Sequence, residues 1–135
     1  MSKVFDLEIV TPTKVSWSGK VSSVSCPGVE GRFQVLCNHA PFLSLLQIGE
    51  VRITAENGDT LRYAVSGGVS QVFHNSVKIL ADSAELPGDI DVSRAREAKT
   101  RAEGRLASKA PDLDIERARL ALLRSINRLK IAGAN

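Results

Sequence analysis

From Phe5 to about Ala84 apolar residues alternate with polar ones, the period of a β-strand that buries one face. Phe5, Leu7 and Ile9 alternate with Asp6 and Glu8 until Thr11-Pro12-Thr13 stops the run. Val15 and Trp17 then share a face, and Ser18-Gly19 is expected to turn the chain. Val51, Ile53 and Ala55 alternate with Arg52 and Thr54, ahead of a turn at Asn57-Gly58-Asp59. Asn-Gly accepts the positive φ angles of a type I′ hairpin. Leu61, Tyr63 and Val65 line the return strand, which Ser66-Gly67-Gly68 is expected to end. A last pair of strands divides at His74-Asn75-Ser76, with Val77, Ile79 and Ala81 facing inward. Short strands at even spacing, punctuated by Gly and Asn, predict an antiparallel β-sandwich over residues 1–86.

From Asp89 the period becomes helical, which makes the fold class α+β. Val92, Ala95, Ala98, Ala102 and Leu106 form one seam, rich in alanine, so two helices can approach closely. Ile115, Ala118, Leu122, Ile126 and Leu129 form a second seam. Ser108 to Asp114, with Pro111 inside, supplies the turn, and Asp112 or Asp114 the N-cap of the second helix. Glu85-Leu86-Pro87-Gly88 is the expected hinge, so residues 87–135 read as an antiparallel two-helix hairpin. Helices of about fifteen residues are marginal alone, so such a hairpin must dock on something. It is a candidate moving part.

Composition changes this picture in one respect. The 135 residues carry a formal charge of +3. Residues 1–90 hold seven Lys/Arg against nine Asp/Glu, whereas residues 91–135 hold eleven against six. That split points to an anionic partner for the hairpin. Aromatic residues are 4% of the chain, so the core must be aliphatic. Asp6 and Glu8 interrupt any signal-peptide apolar region, and no run of apolar residues reaches the length of a membrane span. Cys26 and Cys37 are expected as two reduced, buried or half-buried thiols.

The familiar catalytic constellations are absent from the sequence. His39 and His74 stand at no metal-ligand spacing with a cysteine or with each other. Ser66-Gly67-Gly68-Val69 lacks the lysine of a phosphate-binding loop and reads as a tight turn. Asp6 and Glu8 fall on the solvated face of a strand. The hairpin is more informative. Asp91, Arg94 and Arg101 project from one side of the first helix, and Arg117, Arg124 and Arg128 from one side of the second. Folded together, these guanidinium groups could surround one polyanion, where bidentate contacts to phosphate are favourable. The plainer alternative is a solvated basic face with intrahelical ion pairs such as Glu97–Arg101.

Gly31-Arg32-Phe33-Gln34-Val35-Leu36-Cys37-Asn38-His39-Ala40-Pro41 resembles the segment ending in His-Ala-Pro that marks the epsilon subunit of the F-type ATP synthase. Ser66-Gly67-Gly68-Val69 and Val77 to Asp82 look like that family's later strands. The resemblance implies a non-catalytic rotor subunit whose sandwich binds the gamma subunit and rests against the ring of c subunits, with Glu30, Arg32 and His39 as contact candidates. It implies a hairpin that either folds on the sandwich or extends toward the alpha and beta subunits and blocks ATP hydrolysis. Ile90-Asp91-Val92-Ser93-Arg94-Ala95 matches the motif through which some bacterial members bind ATP. By that resemblance Glu85, Ile90, Asp91, Arg94, Arg101, Arg124 and Arg128 are the nucleotide-site candidates, with ATP a regulatory ligand and no cofactor or metal required. The implied location is peripheral, through the complex, on the cytoplasmic face of the bacterial plasma membrane, in preference to an organellar equivalent. The alternative reading is a basic nucleic-acid-binding module, which the lack of aromatics interleaved among the arginines disfavours. No nucleic-acid partner is therefore expected.

Overall fold

The alternation at the start of the chain is realised as β1 (Phe5–Val10), whose odd-numbered residues are buried. Six further strands follow: β2 (Val15–Gly28), β3 (Gly31–Leu36), β4 (Phe42–Ala55), β5 (Thr60–Phe73), β6 (Ser76–Ala81) and the short β7 (Ala84–Glu85). They form one sheet in the order β1-β6-β5-β4-β2-β3, and β1 also pairs with β2, so the sheet closes on itself. The neighbours pair antiparallel except β1 and β6, which run parallel, with Leu7 opposite Val77 and Ile9 opposite Ile79. This computed structural model describes residues 3–134, which divide into two compact units between Leu86 and Pro87.

The β-unit's core is aliphatic, as the scarcity of aromatics requires. Leu7, Ile9, Val21, Val24, Val35, Val51, Ile53, Val65, Val77 and Ile79 are almost wholly buried, with Phe5 and Tyr63 beside them. Long strands explain two departures from the expected turns, and a third concerns turn type. Ser18-Gly19 does not turn the chain but lies inside β2, where Gly19 leaves room for the indole of Trp17. The reversal comes earlier, where Thr11 and Lys14 exchange backbone hydrogen bonds of 2.9 and 3.3 Å, and Val15 is left 54% exposed. Ser66-Gly67-Gly68 likewise does not end a strand, because β5 runs through it and holds β4 on one side and β6 on the other. At Asn57-Gly58 only Gly58 has positive φ (93°), and its N–H donates to Ala55 at 2.9 Å. A type I′ turn needs positive φ at both central residues, and that pattern belongs instead to His74 (50°) and Asn75 (55°).

In the second unit a short 3₁₀ turn (Pro87–Asp89) leads to α1 (Val92–Ser108) and α2 (Ile115–Ile131), which pack on each other. Asp91 caps α1 by accepting the Arg94 N–H at 3.1 Å, and Asp114, not Asp112, caps α2 through the Arg117 N–H at 3.0 Å. Lys109, in the left-handed region (φ 51°), stops α1. The end of α2 is a Schellman motif: Gly133 (φ 78°) donates to Lys130 at 3.2 Å, and Ala134 to Leu129 at 2.8 Å. The α1 seam holds at Ala95 and Ala102. On α2 the buried positions are Ala118, Ser125, Leu129 and Ile131, with Leu122 half-buried, whereas Ile115 and Ile126 are exposed. Facing an alanine-rich partner, α2 buries a narrow stripe and leaves its wider apolar arc outside. Ser125 satisfies its hydroxyl within its own helix, donating to Ala121 and Leu122.

Gly104 sits mid-helix on α1, and a Cβ there would meet open space. Gly104→Ala should therefore stabilise the hairpin by about 0.5–1 kcal/mol, read as a rise in helical ellipticity at elevated temperature.

Candidate functional site

Arg94 and Arg101 each precede a buried alanine of α1, Ala95 and Ala102, and Arg105 precedes the half-buried Leu106. Arg117, Arg124 and Arg128 each precede a buried residue of α2, namely Ala118, Ser125 and Leu129. One residue is a 100° turn of a right-handed helix. In two antiparallel helices that face each other, positions one residue before the seam fall on the same side of the pair. Six arginines thus line one side of the hairpin. Counted back equally from the turn that joins Ser108 to Ile115, Arg94 stands level with Arg128, Arg101 with Arg124 and Arg105 with Arg117, to within about two residues or ~3 Å. On the helices themselves, Glu97 alone among the described residues brings a carboxylate to that side.

Five of the seven nucleotide candidates from the sequence lie at this side or its capped end: Asp91, Arg94, Arg101, Arg124 and Arg128. Ile90 is buried just ahead of α1, and Glu85 belongs to the other unit, in β7 opposite Ala64. Arg94 and Arg101 are exposed, and Arg124 and Arg128 half-buried. Asp91 already engages one carboxylate oxygen as a helix cap, which accounts for its spacing from Arg94. Glu97 and Arg101 do not pair; the intrahelical pair that does form is Arg119–Glu116 at 2.7 Å, away from the six. Converging guanidinium groups with few carboxylates among them can hold a polyphosphate or meet an acidic protein surface. Sequence spacing missed Arg105, because its place on this side is visible only once the buried α1 positions are known.

The other three candidates are spread along β3. Glu30 lies in the exposed turn before it, Arg32 on its first turnward residues, and His39 in the loop after it. A six-residue strand spans roughly 17 Å, so these side chains line an edge and do not form one cluster. The Arg32 guanidinium reaches the Ser25 carbonyl at 3.5 Å. His39 stands 2.7 Å from the Ala40 carbonyl through Nδ1, and its ring meets Phe42 edge-on. Asn38 (φ 65°) and Asn75 clamp this loop to the β5–β6 turn. The Asn38 N–H donates to the Asn75 side-chain oxygen at 2.7 Å, and the Asn75 amide returns a bond of 3.1 Å.

One surface was not anticipated from the sequence. The register places Leu45 opposite Val69, Val69 opposite Leu80, and Leu80 opposite Val10, an apolar row across the outside of β4, β5, β6 and β1. Leu45 is 64% and Leu80 46% exposed, and neighbouring Leu43 is 70% exposed. Exposed apolar residues in a contiguous row mark a protein interface. The clue was Phe42-Leu43-Ser44-Leu45-Leu46, which is apolar on both faces of its strand.

Among the described residues no group of His, Cys, Asp or Glu could hold a metal ion. Both cysteines are free. Burial pushes the Cys26 thiol up to about 12, against smaller opposing effects of Arg32 and the Ser70 side chain. Its folded pKa lies above that of an unfolded cysteine, so the neutral thiol favours the fold, and that contribution fades as pH rises from about 9 toward 12. Cys37 should accordingly react with a thiol reagent within minutes at pH 8, and Cys26 only after unfolding, a difference countable by mass spectrometry.

A closed β-domain followed by a capped hairpin with one arginine-lined side defines a two-part binding protein. Two family models divide the chain in the same way. Residues 4–87 match the β-sandwich domain of the ATP synthase delta/epsilon chain, and residues 89–133 match its long α-helix domain. The ATP synthase epsilon chain of Nitratidesulfovibrio vulgaris is 49% identical over 133 residues, covering 98% of each chain. That of Pelotomaculum thermopropionicum is 50% identical over 127 residues, 94% of each. Among solved structures, a chain of the Euglena gracilis mitochondrial ATP synthase superposes with a TM-score of 0.71 at 21% identity, over 98% of this chain and 79% of that one. At that identity the match speaks to the fold. The chain belongs to the ATP synthase delta/epsilon family, and is a non-catalytic subunit of that complex. No helix among the described residues is long and apolar enough to cross a membrane.

Proposed function

We propose that this chain is the rotor subunit that joins the gamma subunit to the ring of c subunits, and that its hairpin restrains ATP hydrolysis unless ATP holds it folded. The observation that carries the regulatory half is the convergence of six arginines on one side of the hairpin. Such a side serves both states. Folded, Arg94, Arg101, Arg124 and Arg128 bind the phosphates of ATP, with Asp91 and Ile90 at the capped end. Extended, the same arginines meet acidic loops of the beta subunits, an attraction that gives steering and register more than affinity. ATP bound only to the folded form stabilises it by about 1.4 kcal/mol at nine times Kd, a tenfold shift in population.

Calorimetric titration of the full chain with MgATP and with ATP tests this. Saturable heat, lost in Arg94→Gln/Arg128→Gln, supports it; no heat up to millimolar nucleotide removes the sensor role and leaves the rotor role standing.

The rotor half rests on the β-domain. The apolar row of Leu45, Val69 and Leu80 is the surface offered to gamma, and the β3 edge with Glu30, Arg32 and His39 faces the c-ring. Leu45→Asp should abolish co-purification of the tagged chain with gamma while leaving its melting temperature within about 3 °C of the parent, because the residue is exposed. On this proposal the protein sits at the cytoplasmic face of the membrane, held there by its partners.

A further inference from the structure

Asn57 is followed by a glycine, the arrangement in which an asparagine side chain reacts most readily with its own backbone. The attacking atom is the nitrogen of the next residue, and glycine has no Cβ to shield it. Asn38, Asn75 and Asn127 are followed instead by His39, Ser76 and Arg128. Asn57 and Gly58 stand exposed in the turn between β4 and β5, so water reaches both. Three hydrogen bonds nevertheless hold the pair apart. The Asn57 amide donates through Nδ2 to Asp59 Oδ2 at 3.0 Å, and its Oδ1 accepts the Asp59 N–H at 3.0 Å. The Gly58 N–H donates to the Ala55 carbonyl at 2.9 Å. Both ends of the carboxamide are tied to Asp59, so Cγ cannot swing onto the Gly58 nitrogen. That nitrogen must also lose its proton to attack, and the Ala55 carbonyl facing it is no base. The Asp59 N–H does polarise the Asn57 side-chain carbonyl, but polarisation helps only a carbon that the nucleophile can reach. Position decides.

We infer that Asn57 is a site of spontaneous deamidation, and that opening of the β4–β5 turn controls it. In the open turn the Gly58 nitrogen gives up its proton and bonds to Cγ, the Cγ–Nδ2 bond breaks, and ammonia leaves. The product is a five-membered succinimide. Water then opens the ring at either carbonyl. Addition at Cγ gives an ordinary aspartyl residue, and addition at the backbone carbonyl leaves the main chain running through Cγ. One water is consumed and one ammonia released, with no oxidant or enzyme. Opening of a tight turn is fast beside this chemistry, so the rate follows the fraction of time the turn is open. Either product puts a new carboxylate between Glu56 and Asp59. An amide that donated to Asp59 becomes an acceptor, so like-charge repulsion replaces a hydrogen bond. The rerouted product also lengthens the turn by one backbone atom. Both changes loosen the end of the hairpin, where the Ala55 N–H donates to the Asp59 carbonyl at 2.8 Å. Conversion therefore keeps the turn open, and the converted fraction records how long the hairpin has been open.

The test is incubation of the full chain at mildly alkaline pH, native and unfolded in urea, with the peptide around Asn57 followed by mass spectrometry and its two products separated by fragmentation. Conversion at Asn57 is expected to outpace that at Asn38, Asn75 and Asn127, and to be at least about tenfold slower in the native chain than in urea. Asp59→Ala removes the Oδ2 acceptor from an exposed position. The native variant should convert about fivefold faster than the native parent, which corresponds to about 1 kcal/mol for one hydrogen bond. In urea the two chains should convert alike, which separates the turn's effect from that of the local sequence. Hydrogen exchange at the Ala55 amide should be faster in the converted chain. Four results would overturn the inference: equal rates in native and unfolded chains, no acceleration in native Asp59→Ala, faster conversion at another asparagine, or unchanged Ala55 exchange after conversion.

Discussion

Gly68→Ala should destabilise the β-domain by about 4 kcal/mol, most of the stability of a domain this size. Gly68 faces the β6 backbone at a φ of 145°, where an added Cβ would collide with the Leu80 carbonyl oxygen and lie 2.8 Å from the Ala81 Cα. Neither atom is a flexible side chain that can turn away, so β5 and β6 must separate. Gly67→Ala is the control. Its φ of 109° is also strained for alanine, but the nearest atoms are 3.5 Å away, so about 1–3 kcal/mol is expected. Urea unfolding followed by the fluorescence of Trp17, the one tryptophan, reports the β-domain alone. A Gly68→Ala loss within 1 kcal/mol of zero would mean that β5 and β6 do not meet as described.

Removing the hairpin is expected to have the largest functional effect. In the assembled synthase, a chain ending at Leu86 should still join the complex, because the β-unit has its own core and its own apolar row. If the hairpin blocks roughly nine enzymes in ten at low ATP, its removal raises ATP hydrolysis about tenfold there, and much less at high ATP. Steady-state hydrolysis measured over a range of ATP concentrations would show it. An unchanged rate at every concentration would end the inhibitory role without touching assembly.

The two units were legible in the sequence because each has its own period, two up to Ala84 and three to four from Asp89. The end signals of the helices were legible as well, since Asp114 and the turn around Pro111 carry local chemistry. What failed was taking Gly19 and Gly67-Gly68 as punctuation. Gly19, Gly67 and Gly68 lie inside long strands because a neighbouring indole or backbone needs the space, a fact of tertiary packing that no local window contains. The parallel pairing of β1 with β6, about seventy residues apart, was hidden for the same reason. Periodicity drew the α2 seam too wide: Ala118, Leu122 and Leu129 lie on it, but Ile115 and Ile126 are exposed, because alanine on the facing helix admits only a narrow stripe. The arginine side was half visible. Spacing grouped the residues within each helix, and only the buried positions showed that both groups share one side.

The most direct test of a hairpin whose posture answers to nucleotide is a pulsed electron–electron distance measurement between the two units. Spin labels at Asp59→Cys and Asp112→Cys, in a Cys37→Ser background, mark exposed positions on each, while buried Cys26 stays unlabelled. Two distance populations are expected without nucleotide, with ATP collapsing them into the shorter one and Arg94→Gln/Arg128→Gln abolishing that collapse. A single distribution, identical with and without ATP, would contradict the proposal.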